Sequence, residues 1–270
     1  MTSSLLRPRR FARAGSAAAG GDAGRDAAGS TVPTRILDWE DARVTALVRS
    51  IAATPDEGRA VPAHAGQVEA LRRAHRRIAE VVQPVYSVQD DRPVSEVLRR
   101  NRGSCSQRLA VLEAVARAYG VATRVRGLLV DGTFWYPRFP RVRQLVPDRI
   151  LLAWPEFRID GGARNGAGHW LTVSELFGGL DELSGAVGGG FTNAGAETLF
   201  EALSRTAIDW DGVTLCPTDG AACDLSAYVL ADLGHFDSRD ELFSVHGQAL
   251  CGMARLLAEP VLGRRTASGR

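Results

Sequence analysis

The strongest chemical signal in the chain is Cys105, in the run Arg102-Gly103-Ser104-Cys105-Ser106-Gln107-Arg108-Leu109-Ala110, where small residues give way to helical apolar spacing. A cysteine in the first turn of a helix sits beside unpaired backbone N–H groups and the positive end of the helix dipole. Both favour the thiolate, so a pKa roughly one or two units below the ~8.5 of a free thiol is expected. Ser104 and Ser106 add hydroxyl donors, and Gly103 leaves room for a substrate backbone. The same position also suits a buried, inert thiol, and position alone leaves both readings open.

The other cysteines, Cys216, Cys223 and Cys251, form no C-x-x-C pair, and four in all are too few for a disulfide framework at this length. No histidine or second cysteine pair lies near Cys216 and Cys223 to complete a zinc pattern, so these read as ordinary thiols in a reducing cytoplasm. The turn Gly161-Gly162-Ala163-Arg164-Asn165-Gly166 joins two strands and feeds no helix N-terminus, so it reads as a hairpin loop rather than a phosphate cradle. No carboxylate-rich loop of the calcium-binding type occurs, and no cofactor is implied.

Several mechanisms are excluded by composition. All 33 basic residues are arginine, which rules out a Schiff-base lysine, a phosphate-loop lysine and a Ser/Lys dyad. The net charge of +2 comes from interleaved signs rather than from a basic stripe, so no nucleic-acid partner is expected. No stretch approaches the ~20 apolar residues of a membrane span. Arg9-Arg10-Phe11 superficially matches a twin-arginine signal, but the Gly/Ala/Ser segment after it lacks an apolar core, and a disordered tail is the better reading.

Several elements must position Cys105. Residues 1–33 are Gly/Ala/Arg-rich and read as a disordered tail that can be removed at little cost to stability. Val44, Leu47, Val48 and Ile51 recur at helical spacing and predict a first helix. Val68, Leu71, Ile78 and Val81 predict a second, ended by Gln83-Pro84, with His75 solvated among arginines. A short helix over 95–100 leads to the Cys105 helix, whose stripe Leu109, Leu112, Ala116 and Tyr119 runs to a cap at Gly120. Strands follow over 121–131, 149–159 and 169–174. Beyond Leu176, helices are expected over 197–206, 224–233 and 239–257, the last opened by a capping box of Ser238 and Glu241. Helices ahead of antiparallel strands make an α+β domain.

The Cys105 run, together with Ala116-Arg117-Ala118-Tyr119-Gly120-Val121-Ala122-Thr123-Arg124, resembles the transglutaminase-like superfamily. The similarity continues through Ala153-Trp154-Pro155-Glu156-Phe157 and Trp170-Leu171-Thr172-Val173, covering roughly residues 90–175. The resemblance implies a papain-like core in which the nucleophile-bearing helix packs on an antiparallel sheet, with helices added at both ends. It also implies a Cys-His-Asp triad that forms a thioester with an amide or ester and passes the acyl group to an amine or water. Cys105 matches the nucleophile. The family histidine position holds Leu152 and the aspartate position Ser174, and neither can move or orient a proton as the original does.

A hairpin centred near Ala163 would set Leu152 opposite Ser174, with Leu152 facing the Cys105 sulfur. It would also set His169 opposite Phe157, about 16 Å along the strand from Leu152. His169 is then too far to serve Cys105, and His64, His235 and His246 are the candidates for a replacement base. The expected organisation is a tail over 1–33, a transglutaminase-like domain over 34–176, a helical extension over 177–260 and a tail over 261–270. Two functions follow from the resemblance. One is cysteine-dependent transamidation or hydrolysis of a peptide or small acyl-bearing substrate through Cys105 with an incomplete triad. The other is a catalytically degenerate protein that binds such a compound without turnover.

Overall fold

The computed structural model describes residues 27–53, 63–141, 143–160, 168–179, 182–183, 190–212 and 225–248. Helix α1 (Ala42–Ala52) begins where the Asp41 side chain accepts from the Arg43 N–H, and it buries Val44, Leu47 and Ile51, one per turn of a single face. Helix α2 (Ala63–Val81) buries Leu71, Ala74 and Ile78 in the same way. The short strand β1 (Gln83–Pro84) then pairs in parallel with β2 (Arg102–Gly103), which fixes the chain immediately before Cys105. Between them lies α3 (Val94–Arg100), closed by Asn101 in the left-handed region at φ 51°.

Helix α4 (Cys105–Ala118) opens at the cysteine, as expected, and ends where Gly120 turns left-handed at φ 77°. Its surroundings differ from expectation. Every residue from Gln107 to Arg117 is buried, so the helix runs through the interior rather than presenting one apolar stripe to a core. Enclosure forces its polar side chains to find partners. Arg117 donates to Thr123 Oγ1 at 2.8 Å, to the Val32 carbonyl at 2.6 Å and to the Asp237 carbonyl at 2.7 Å. Glu113 receives Arg239 Nε at 2.5 Å, with neither side chain exposed.

The sheet is antiparallel in the order β5-β4-β3-β6, formed by β3 (Thr123–Asp131), β4 (Arg149–Ile159), β5 (His169–Thr172) and β6 (Val229–Phe236). β3 and β4 pair along their length, with Leu128 opposite Leu152. Helices α4 and α6 (Arg239–His246) both contact β3, and α4 also packs on β4. The resulting α+β architecture is the one the sequence predicts.

Three expectations need correction. Residues 224–233 were expected to be helical, but Val229–Phe236 is the edge strand β6, and exposure alternates residue by residue along its first half. The outer edge of β3 carries unpaired N–H and C=O groups, and pairing them outweighs a weak helical pattern. The segment after Leu176 is therefore not a purely helical extension, because it completes the sheet.

Residues 27–33, assigned to the tail, are docked. Ser30 exchanges two backbone hydrogen bonds of 3.0 Å with Thr123, and the Val32 carbonyl accepts from buried Arg117. Residues 1–26 and 261–270 lie outside the described residues. The helix expected over 197–206 is the single turn α5 (Leu199–Ala202). The helix expected over 239–257 starts as expected, with Ser238 accepting from the Glu241 N–H at 3.1 Å, but as α6 it ends at His246, where Gly247 at φ 76° caps it; residues 249–257 lie outside the described residues. No described helix is long and apolar enough to cross a membrane.

The third correction concerns register. His169 lies opposite Ile159 instead of Phe157, and β5 ends at Thr172 opposite Glu156. Ser174 falls in a 3-10 turn over Val173–Phe177, so it has no strand partner and does not stand opposite Leu152. Thr172 ends the strand because its N–H and Oγ1 both donate to Glu175, a capping box that starts the turn.

Candidate active site at the start of the central helix

Ser104 adopts an extended conformation and caps α4. Its hydroxyl accepts from the Gln107 N–H at 3.2 Å, and its own N–H donates to Gln107 Oε1 at 3.0 Å. Gln107 is anchored in turn, donating to Ser87 Oγ at 3.0 Å and to the Gln89 carbonyl at 2.7 Å. The Ser104 hydroxyl is thus spent on the cap, and Ser106 Oγ accepts from Arg239 Nη1 at 3.0 Å. Gly103 also has a structural cause: a Cβ there would stand 2.9 Å from Val97 Cγ1, so glycine allows α3 to close on the turn.

Cys105 as a residue retains partial exposure, yet its sulfur lies among protein atoms. Desolvation pushes the thiol up to about 12. Arg108 and Arg239 oppose the rise, Glu201 adds to it, and a backbone hydrogen bond from Phe200 opposes it. The thiol is therefore protonated at neutral pH, contrary to the depressed pKa expected from the helix start. The magnitudes explain the outcome: a helix terminus contributes about 0.3–1 kcal/mol, whereas desolvating an ionised group costs several.

Besides Arg239 of α6, the groups around the sulfur come from three elements that sequence spacing does not connect. Arg108, one turn along α4, is fully buried and ion-pairs with Glu201 of α5, whose side chain is 34% exposed. Its guanidinium lies 4.2 Å from the centre of the Phe200 ring, and its Nε has no partner. On α2, His75 stacks on the same ring, with its centre 4.1 Å from that of Phe200 and nearly parallel. Its Nε2 lies 2.6 Å from the Phe200 carbonyl oxygen.

His75 is 2% exposed rather than solvated, and burial lowers it to about 4, against the opposing pull of the Phe200 carbonyl. A signal for this was present in the sequence. Positions 68, 71, 75 and 78 fall on one helical face, so the apolar stripe of α2 runs through the histidine. Arg108 and Glu201 carried no comparable signal, being 93 residues apart and joined only by the fold.

The histidines considered as replacement bases lie elsewhere. His235, on β6, bonds through Nε2 to Glu156 Oε1 at 3.1 Å, and Glu156 Oε2 receives Arg124 Nε at 2.7 Å. Burial raises the Glu156 carboxyl, but these two partners outweigh it and hold the group below its ordinary range. His246, at the end of α6, meets the Phe236 ring edge-on at 5.6 Å, and burial lowers its pKa. His169 is seven residues along β4 from the level of Leu152, about 23 Å. The His64 side chain and Cys216, Cys223 and Cys251 lie outside the described residues.

Among the described residues no imidazole is hydrogen-bonded to the Cys105 sulfur, and no group of three or more metal-ligating side chains occurs. Leu152 is 5% exposed on β4, and Ser174 is 2% exposed, with its Oγ 3.1 Å from Thr172 Oγ1.

No curated protein and no solved structure gives a significant match. The family model of the transglutaminase-like superfamily matches residues 50–174, a span that contains α2, the capped Cys105 helix and strands β3 to β5. That segment, a little under half of the chain, is similar to the transglutaminase-like superfamily.

Proposed function

We propose that the domain uses Cys105 as the nucleophile of an acyl transfer on an amide or ester carried by a peptide or small compound. The observation that carries this reading is a cysteine at the first position of a doubly capped helix, inside the matched family segment. In the reaction the sulfur attacks the carbonyl carbon as the C–N or C–O bond breaks, and the thiol proton goes to the departing amine or alcohol. Water or an amine then attacks the thioester, loses its proton and restores the thiol. The thiol at about 12 makes this a latent nucleophile, slow until its surroundings change.

A second reading, a degenerate member that binds an acyl compound without turnover, is favoured by Leu152 and Ser174 at the positions of the family histidine and aspartate. The two separate on one experiment. The full chain and its Cys105→Ala variant are incubated with aryl esters and small primary amides, and intact mass and released product are followed. An acyl adduct on the wild type alone, with continuing product release, supports transfer. Compounds bound by both proteins with neither adduct nor product support the degenerate reading.

A further inference from the structure

Among the described residues no imidazole pairs with the sulfur, which raises the question of which group could balance a thiolate at Cys105. Four elements bring charged or titratable side chains to this place. Arg108 is on α4 itself, three residues on and therefore on the same helix face, at a Cβ separation of about 5–6 Å. Arg239 comes from α6, but it is occupied by Glu113 and by Ser106 Oγ. Glu201 comes from α5, and His75 of α2 lies behind the Phe200 ring with its Nε2 committed to the Phe200 carbonyl.

Arg108 differs from Arg239 in how it is held. Its carboxylate partner sits on a one-turn element and is a third exposed, its other contacts to Thr198 Oγ1 and the Ala79 carbonyl are long at 3.5 Å, and its Nε is buried without a partner. A fully enclosed structural pair such as Arg239–Glu113 has no exposed member. The other Glu201 oxygen accepts from the Thr198 N–H at 3.1 Å, so swinging the side chain toward solvent opens that cap and leaves the Arg108 guanidinium unneutralised near the start of α4.

We infer that Arg108 takes the place of the absent imidazolium as the charge partner of Cys105, and that Glu201 holds it in reserve by neutralising it. Arg108 is a positioning residue in this arrangement, since it acts through the state of the sulfur. The inference rests on Cys105 being the nucleophile of the preceding section. The interaction of one charge with another at ~6 Å in a protein-like medium corresponds to about two pH units, so releasing Arg108 lowers the sulfur's titration by about one to two.

The test is the pH profile of Cys105 alkylation by iodoacetamide, in full-length protein with Cys216, Cys223 and Cys251 changed to serine. Glu201→Gln shifts the profile down by about one to two pH units, which at pH 8 is roughly a tenfold to hundredfold faster reaction. Adding Arg108→Met returns the profile toward the starting one, and adding Arg108→Lys instead keeps most of the shift. Should Glu201→Gln fail to melt cooperatively, Glu201→Asp carries the test, because the shorter carboxylate draws away from Arg108 and gives a smaller shift of the same sign.

No shift in a folded Glu201 variant, or the same shift with and without Arg108, overturns the inference. A lowered profile with no acyl adduct from any ester or amide keeps the Arg108 pairing and removes the acyl-transfer reading. An acyl adduct that forms at a rate indifferent to Glu201 and Arg108 does the reverse.

Discussion

Acidification from pH 7 to pH 4 titrates His75 in a place where the proton is unwelcome, and the consequence for stability can be worked through. In the unfolded chain the imidazole takes up a proton near 6.5, while in the folded protein burial holds it to about 4. The folded pKa is the lower one, so protonation favours unfolding. The stabilising contribution of neutral His75 is therefore complete above pH 6.5 and is lost as pH falls from there through about 4. A shift of about 2.5 units corresponds to roughly 3 kcal/mol, a large part of the 5–15 kcal/mol that holds a typical domain together.

Other groups titrate over the same range, so the informative quantity is a difference. His75→Gln removes the proton-binding site while keeping an N–H that can reach the Phe200 carbonyl. Urea unfolding at pH 7 and pH 4 should show the wild type losing about 3 kcal/mol more than the variant between the two. The variant should be the less stable protein at pH 7, because it loses the stack on Phe200. An equal loss in both proteins would refute the reasoning and show that His75 reaches solvent or a compensating carboxylate when protonated.

Breaking the enclosed pair by Arg239→Met strands the Glu113 carboxyl and should cost about 3–5 kcal/mol, measured by urea denaturation; Arg239→Met with Glu113→Leu should recover most of it. Ser104→Ala removes the cap of α4 and should lower stability by about 1 kcal/mol, read as a melting-temperature drop of about 2–4 °C. A chain beginning at residue 34 should melt several degrees below one beginning at residue 27. The shorter chain lacks the Ser30–Thr123 pairing and leaves a buried Arg117 donor without the Val32 carbonyl, a loss of about 1–3 kcal/mol.

Local patterns determined much of this protein. The capping residues and apolar spacing around Cys105 were sufficient to place a helix start at that residue, because a helix N-terminus is specified by neighbours within one turn. Strand β4 runs from Arg149 to Ile159 as the sequence predicts, and the family motifs lie in the order of the elements they mark. What the sequence could not determine depended on partners far along the chain. β6 is a strand because β3 offers it an edge, although its own residues also fit a helix. The Ser174 position was lost to a capping box that ends β5 two residues earlier than alternation alone implies. The thiol of Cys105 is high instead of low because the fold buries its sulfur, and Glu201 of α5, from beyond residue 190, adds to the rise. Desolvation is a property of everything packed around a group, so only the tertiary structure could decide it.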